Sequence, residues 1–232
     1  MNKILVLLPF YNSEKFLANS INSILNQTHT NLKLVLIDDA STDSSLAIAK
    51  QYLVNSNVQL IENPVNSGPY FCLNLGLNSN ENVDWDWVIT HGADDISYPT
   101  RFKDQLNTIT PNSIAISCRF DRVNYLNGSR QATNPETNES MLLTSKEVFD
   151  RIGYYCITRA AGDTEYKERL KLAFPNMEIT KLDKVLVDAL SHNNNLTKTI
   201  PINSQYRLNF VKNFRSIHKD MNKTKNYYID FT

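Results

Sequence analysis

Along the first hundred residues, unbroken apolar runs alternate with stretches in which apolar positions recur every three or four residues. Ile4 to Leu8 is apolar throughout and stops at Pro9, which predicts a buried first strand. Phe16, Leu17, Ser20, Ile21, Ile24 and Leu25 follow at helical spacing behind Asn12 or Ser13 as the cap. Lys33 to Ile37 predicts a second strand ending at Asp38-Asp39, with a helix from about Thr42-Asp43. Val58 to Ile61 predicts a third strand, and Asn63-Pro64-Val65-Asn66-Ser67-Gly68-Pro69 a rigid turn into another helix. Trp87 to Thr90 is a fourth strand that runs into the adjacent carboxylates Asp94-Asp95. Apolar strands separated by helices predict a mostly parallel sheet covered on both faces, with ligands at the carboxyl ends of its strands. Pro9 to Asn12, Asp38-Asp39 and Asp94-Asp95 each follow a strand, so they should line one edge of that sheet.

The second half is less regular. Pro99 suits the first turn of a helix through Arg101-Phe102 to Leu106, and Ser113 to Cys118 reads as a strand. Arg122 to Leu126 and Ser129 to Thr133 flank Asn127-Gly128, a hairpin signal. Thr144-Ser145-Lys146-Glu147 has the pattern of a capping box opening a short helix that Gly153 closes. A further helix runs from about Asp163 to Phe174 and stops at Pro175, and Val185 to Leu190 returns to strand character. These elements predict an α/β domain over 1–197, Rossmann-like over 1–97 and mixed α+β over 98–197, followed by a basic helical tail at 198–232.

Composition narrows the classes. The 232 residues suffice for one large or two small domains with a real core. Lys and Arg total 24, as do Asp and Glu, so no net field draws the chain to nucleic acid. Lys3 to Leu8 has a signal-peptide flavour, but Pro9 breaks it and no small-residue cleavage site follows. No other apolar run approaches the length of a bilayer span. Cys72, Cys118 and Cys156 are an odd count at wide spacing, which predicts reduced thiols and a cytoplasmic setting. The tail departs from this neutrality: Lys198, Arg207, Lys212, Arg215, Lys219, Lys223 and Lys225 face one acid, Asp220. Leu208, Val211, Phe214 and Ile217 recur there at spacings of three. The segment is either a helix packed on the domain with its charges in water, or an amphipathic helix in peripheral contact with an anionic membrane.

Two neighbouring acids at the end of a buried strand repel each other and must be solvated, paired or metal-bound. The stretches around them, taken in order, resemble a family 2 glycosyltransferase of the GT-A fold. The resemblance runs through Val6 to Asn12, Ser23 to Thr28, Val35 to Asp43, and Asn63 to Gly68. It continues through Ala93-Asp94-Asp95 with Pro99 and Arg101 behind them, and Gly162 to Glu165 with Arg169. It implies inverting transfer of a sugar from a nucleoside-diphosphate donor to a hydroxyl of a glycan or glycolipid. UDP-sugars come first as donors, with GDP- or dTDP-sugars as alternatives.

Carried over residue by residue, the resemblance implies that Asp39 accepts from the nucleotide base, with Tyr11 beside that base and Pro9 shaping the turn. Asn66 and Gly68 fall in the same donor-binding region. Asp95 would ligate Mn²⁺ or Mg²⁺ on the diphosphate, Asp94 would serve the ribose or the metal, and His192 would be a third ligand or a diphosphate contact. Asp163 would be the catalytic base, and Arg159 and Glu165, with Arg119 and Asp121, would help select the sugar. Gly92 and Gly162 depart from the commonest pattern, which has Asp and Glu there.

The chemistry agrees with these roles. A hard divalent cation takes carboxylate and phosphate oxygens, and it neutralises a diphosphate leaving group. A positioned carboxylate acting as general base contributes roughly 10²–10⁴-fold, and a predicted helix N-terminus favours an ionised Asp163. Plainer readings stay open. Asp163 could be only an N-cap, Glu165 and Arg169 an ion pair on a helix face, and Tyr11 an ordinary aromatic. Asp38 could order the Ser41-Thr42 turn, and His192 could be a loop histidine. The two glycines also admit a sugar-nucleotide-binding protein without catalysis. A nucleotidyltransferase would carry a glycine-rich basic loop after the first strand, and a receiver-type signalling domain would begin at the acidic strand; this chain does neither.

Overall fold

A computed structural model of the chain describes residues 2–133, 141–193 and 195–231. Strands β1 (Ile4–Phe10), β2 (Leu32–Asp38), β3 (Val58–Glu62) and β4 (Trp87–Thr90) pair in parallel in the order β3-β2-β1-β4. They are apolar at successive positions because both faces are covered. Ile4, Val6 and Leu8 point to α1 (Leu17–Leu25) and α2 (Ser45–Gln51), while Leu5 and Leu7 point to α3 (Pro69–Asn78). Each such side chain stabilises the fold by about 1.5–3 kcal/mol through burial. Phe10 pairs with Asp38 and Leu7 with Thr90, so the segments after β1, β2 and β4 leave the sheet at one edge.

Beyond β4 the sheet becomes mixed. The remaining strands are β5 (Asp95–Ser97), β6 (Ser113–Asn124), β7 (Arg130–Ala132), β8 (Leu143–Ser145) and β9 (Glu178–Ser191). They extend the order to β3-β2-β1-β4-β8-β6-β9-β5, with β7 on β6. β8 is antiparallel to both β4 and β6, and β5 is antiparallel to β9. β6 and β9 are longer than their apolar cores suggest, because they run on together past register shifts around Cys118 to Phe120 into half-exposed sequence. β5 is too short to show a pattern. It is held over α1 by Ser97 N donating to Ser23 Oγ, 3.1 Å.

The helices of this half are α4 (Arg101–Leu106), α5 (Lys146–Ile152), α6 (Gly162–Ala173), α7 (Leu196–Thr199) and α8 (Gln205–Thr224). Three local expectations change. α1 begins at Leu17 without a side-chain cap, and Asn12 Oδ1 instead accepts from Thr42 N (2.8 Å) and Asp43 N (3.3 Å), joining two loops at the sheet edge. The capping box does not form: Thr144 belongs to β8, and Ser145 flanks α5 without a side-chain cap.

In α8 the expected stripe is not the packed face. Leu208 and Ile217 are each 53% exposed, whereas Phe214 and His218 are buried against α6. Positions three apart drift by about 60° per step on an α-helix, so four of them sweep half its circumference. After α8 the chain returns to the core. Ile229 N donates to Ile152 O and Tyr154 N to Ile229 O, while Tyr227 is buried. The segment after residue 198 therefore shares the domain's core. Among the described residues no helix is long and apolar enough to cross a membrane.

Candidate active site

A cavity of about 390 Å³ lies at the edge where β1 and β4 end, and Pro9, Asp94, Asp95 and Asp163 all line it. Tyr70, Arg122, Tyr166 and Lys167 also contribute, none of them singled out by the sequence pattern. Four of the expected site residues thus meet in one space although up to 154 positions separate them (163 − 9).

Asp94 is set from the far end of β9. Its Oδ2 accepts from His192 Nε2 at 2.9 Å and Asn195 Nδ2 at 2.7 Å. The His192 ring stacks on Phe16 with centroids 4.3 Å apart. Asn195 further secures the loop, its Oδ1 taking His192 N and its Nδ2 also reaching Leu190 O. His192 is thus a hydrogen-bond partner of Asp94 in this structure. Asn195 was legible only as one residue of an asparagine run.

Asp95 opens β5 and is buried above a polar layer. Arg101, fully buried, donates to Ser97 Oγ (2.8 Å) and to His91 Nδ1 (3.3 Å). An accepting Nδ1 leaves the proton of a neutral His91 on Nε2, which then donates to Asp95 O at 3.2 Å. Burial first, and Arg101 second, push His91 down to about 3. Burial and the neighbouring charge of Asp94 push Asp95 up to about 7, against the pull of Arg101 and Arg122. A Cβ on Gly92 would stand 2.6 Å from Asp95 Oδ2 and 3.1 Å from Asp94 Oδ1, so both carboxylates already crowd the space a side chain there would take.

Among the described residues no three His, Cys, Asp or Glu side chains form a cluster able to hold a metal unaided. The donor set does suit a cation that binds one or two carboxylates and completes its shell with phosphate and water. Asp94 and Asp95 are the residues that could hold it.

Asp163 occupies the second position of α6 and is exposed to the cavity. The N-cap is Ala161, in the left-handed region at φ 67°, so Asp163 is not the cap. Its Oδ1 accepts from Tyr70 Oη at 2.9 Å. Burial, then the charge of Asp163, raise the Tyr70 phenol far above its ordinary value, so it stays a donor.

Asp39, Asn66, Gly68 and Arg159 form a neighbouring linked group outside the cavity lining. Asp39 Oδ1 accepts from Asn63 Nδ2 (2.9 Å) and Ser67 N (2.8 Å), and Oδ2 accepts from Gly68 N (2.8 Å). Asn66 Nδ2 donates to Asp39 O, and Arg159 clasps Asn66 through Oδ1 (2.5 Å) and O (3.0 Å). Gly68 has φ 95°, a conformation glycine adopts without strain, and it brings its N–H to Asp39. Asp38 accepts from Ser41 N and orders the following turn.

Tyr11 is 47% exposed and follows Phe10, whose carbonyl accepts from Asp39 N at 2.9 Å; like Asp39 it lies outside the cavity lining. One expected site residue stands elsewhere. Glu165 is fully buried on the other face of α6, taking Arg169 Nε at 2.7 Å and His218 Nε2 at 2.8 Å. Burial would raise its carboxyl, but hydrogen bonds from His218 and Arg169 outweigh that and hold it below the ordinary range. Arg169 also reaches the carbonyls of Ile152, Tyr154 and Tyr227, so this is an internal ion cluster tying α6, α8 and the C-terminal segment together, not a surface pair. Arg119 is paired with Asp183 at 3.0 Å, and Asp121 lies 3.7 Å from Arg130.

Residues 5–167 match the model of Glycosyl transferase family 2. The putative glycosyltransferase EpsE of Bacillus subtilis is 40% identical over 106 residues, 45% of this chain and 37% of that protein. The chain therefore spans well under two thirds of that relative's length. The crystal structure of S. aureus TarS 1–349 in complex with UDP-GlcNAc matches 85% of this chain and 61% of that one, with TM-score 0.72 and 22% identity. The mannosyltransferase PcManGT from Pyrobaculum calidifontis, in complex with GDP-Man and Mn²⁺, matches 96% of this chain and 63% of that one, with TM-score 0.61 and 16% identity. At these identities the likeness is one of fold, the GT-A arrangement.

Proposed function

The chain belongs to glycosyl transferase family 2, and on that premise we propose that it moves a sugar from a nucleoside-diphosphate donor to a hydroxyl of a glycan or glycolipid, with inversion and with Mg²⁺ or Mn²⁺. The observation that carries this is the meeting of Asp94 and Asp95 with Asp163 around one cavity at the carboxyl ends of the parallel strands. When bound, the cation neutralises charge on the leaving diphosphate. Asp94 and Asp95 would hold it, with Asp94 aimed by His192 and Asn195.

Asp163 would accept the proton of the attacking hydroxyl, and direct displacement from the face opposite the diphosphate inverts the anomeric carbon. A carboxylate offers about four acceptor positions, of which Asp39 already uses three. The Cys72 thiol also lies in hydrogen-bonding reach of this carboxylate, so an N–H of the nucleotide base would share Asp39 with these partners. UDP-sugars are the first donors to test, supported by the UDP-GlcNAc held by the TarS neighbour, and GDP-sugars follow from GDP-Man in the mannosyltransferase.

Asp163→Asn tests the catalytic half. Transfer from the donor that binds should fall by roughly 10²–10⁴-fold while donor affinity holds. Wild-type protein that binds donor yet releases no nucleoside diphosphate with any acceptor would favour a binding protein without catalysis. Peripheral contact of α8 with an anionic membrane, where lipid-linked acceptors reside, is supported by exposed Leu208 on the same side of the helix as Lys212 and Lys219. Equal pelleting of wild type and Lys212→Glu/Lys219→Glu on anionic vesicles would remove it.

A further inference from the structure

Asp163 stands exposed on the first turn of α6, where an aspartate has several rotamers and can fold back on its own helix. Among the described residues, a side chain from another element bonds it: Tyr70, whose hydroxyl lies 2.9 Å from Oδ1. Tyr70 is itself well located. It follows Gly68-Pro69 at the start of α3, directly after the loop that Asp39 clamps. Its ring lies 5.8 Å from Tyr155, which in turn stacks on Tyr166 at 4.3 Å.

The ring also lies flat against Gly162. A Cβ there would come within 2.7–2.8 Å of Tyr70 Cγ, Cδ1 and Cε1, closer than side-chain carbons pack. An aromatic ring cannot bend out of the way, so any larger residue at 162 must displace the ring and its hydroxyl with it. The glycine beside the acid and the tyrosine that bonds the acid are one device.

We propose that Tyr70 is the positioning residue for Asp163, fixing the carboxylate through its hydroxyl while its ring fills the space that makes glycine obligatory at 162. The proposal rests on Asp163 being the base. It further links the two halves of the site, because the loop that Asp39 holds is the loop that delivers Tyr70.

The test uses the full chain with UDP-GlcNAc and Mn²⁺, following UDP release with water as acceptor, and crystal structures of each variant. Tyr70→Phe keeps the ring over Gly162. It should lower kcat on the order of tenfold with KM for UDP-GlcNAc within about twofold, since small misplacements of a reacting group are costly. Gly162→Ala keeps the hydroxyl but displaces it, and should give the same split. The double variant should be no worse than either single one, as expected for residues acting as a unit. In both single-variant crystals the Asp163 carboxylate should leave its wild-type rotamer.

A carboxylate that superimposes on wild type in Tyr70→Phe, or a kcat equal to wild type, would overturn the proposal. So would a loss expressed wholly in KM. Unchanged turnover in Asp163→Asn would remove the base itself, and the crystallographic position of Asp163 would still decide what Tyr70 does. If UDP-GlcNAc is not turned over at all, that position alone decides.

Discussion

The two acidic parts of the cavity are built in opposite ways. Asp95 is buried, and Asp94 beside it is fastened by side chains from a distant loop. Two carboxylates are thereby held close together, Asp94 half-buried and Asp95 buried, and burial with the neighbouring charge pushes Asp95 up to about 7. Asp163 is exposed, and a hydroxyl from a different helix steadies it. A close acid pair with one member buried and the other half-buried carries electrostatic cost that a bound cation would relieve, whereas an exposed acid on the first turn of a helix is open to an incoming hydroxyl. The proposed charge-holding role of one part and proton-accepting role of the other rest on this contrast.

The largest expected effect lies on the exposed side, where Asp163→Asn should cost roughly 10²–10⁴-fold in turnover without weakening donor binding. A comparable loss in affinity would erase the distinction between the two acids. Next comes a control on the same helix but outside the cavity. Glu165→Ala leaves Arg169 buried without its carboxylate and should lower unfolding free energy by roughly 3–5 kcal/mol in denaturant titration. Donor affinity should be retained at low temperature, because Glu165 touches neither acid group.

On the buried side, His192→Ala removes a hydrogen-bond partner of Asp94 and should weaken Mn²⁺ binding about 10–100-fold, the usual cost of losing such a support. Unchanged Mn²⁺ affinity would make His192 an ordinary loop residue.

The smallest effect concerns Asp95 in metal-free protein. Its folded-state value of about 7 lies above the ordinary carboxyl value of 3.8, so the folded state loses stability as pH rises between them. His91 acts the other way: buried neutral at about 3 against an ordinary 6.5, it loses its contribution as pH falls through that range. Comparing Asp95→Asn with wild type at each pH subtracts the histidine. The variant should match wild type near pH 4 and exceed it by about 1–2 kcal/mol at pH 8, less than the full shift implies because Asp94 shares the charge. A constant difference across pH, read from thermal melts, would contradict the buried-charge picture.

The parallel front of the sheet was legible because strands buried on both faces write an unbroken apolar run, as Ile4 to Leu8 and Leu34 to Ile37 do. The edge residues Pro9, Asp39, Asp94 and Asp95 followed from those strands alone. The back half hid its structure for a physical reason: β6 and β9 pass from core into half-exposed sequence, and three-residue strands such as β5 and β8 have no period to detect. Glu165 read as a pocket residue because the i,i+4 spacing to Arg169 says nothing of which face is buried; His218, 53 positions later, is what encloses it. Tyr70 and Asn195 escaped notice since a single hydroxyl or amide reaching 93 or 101 residues along the chain leaves no local signal.

Calorimetric titration of UDP, GDP and their sugar conjugates, with and without Mn²⁺, into wild type and Asp94→Ala is the most direct test that Asp94 and Asp95 form a cation-dependent donor site. One nucleotide should bind in the presence of Mn²⁺ and weaken sharply both without the metal and in the variant. Equal binding in all four conditions would contradict the cation role of Asp94 and Asp95, and no binding of any nucleotide would contradict the donor site itself.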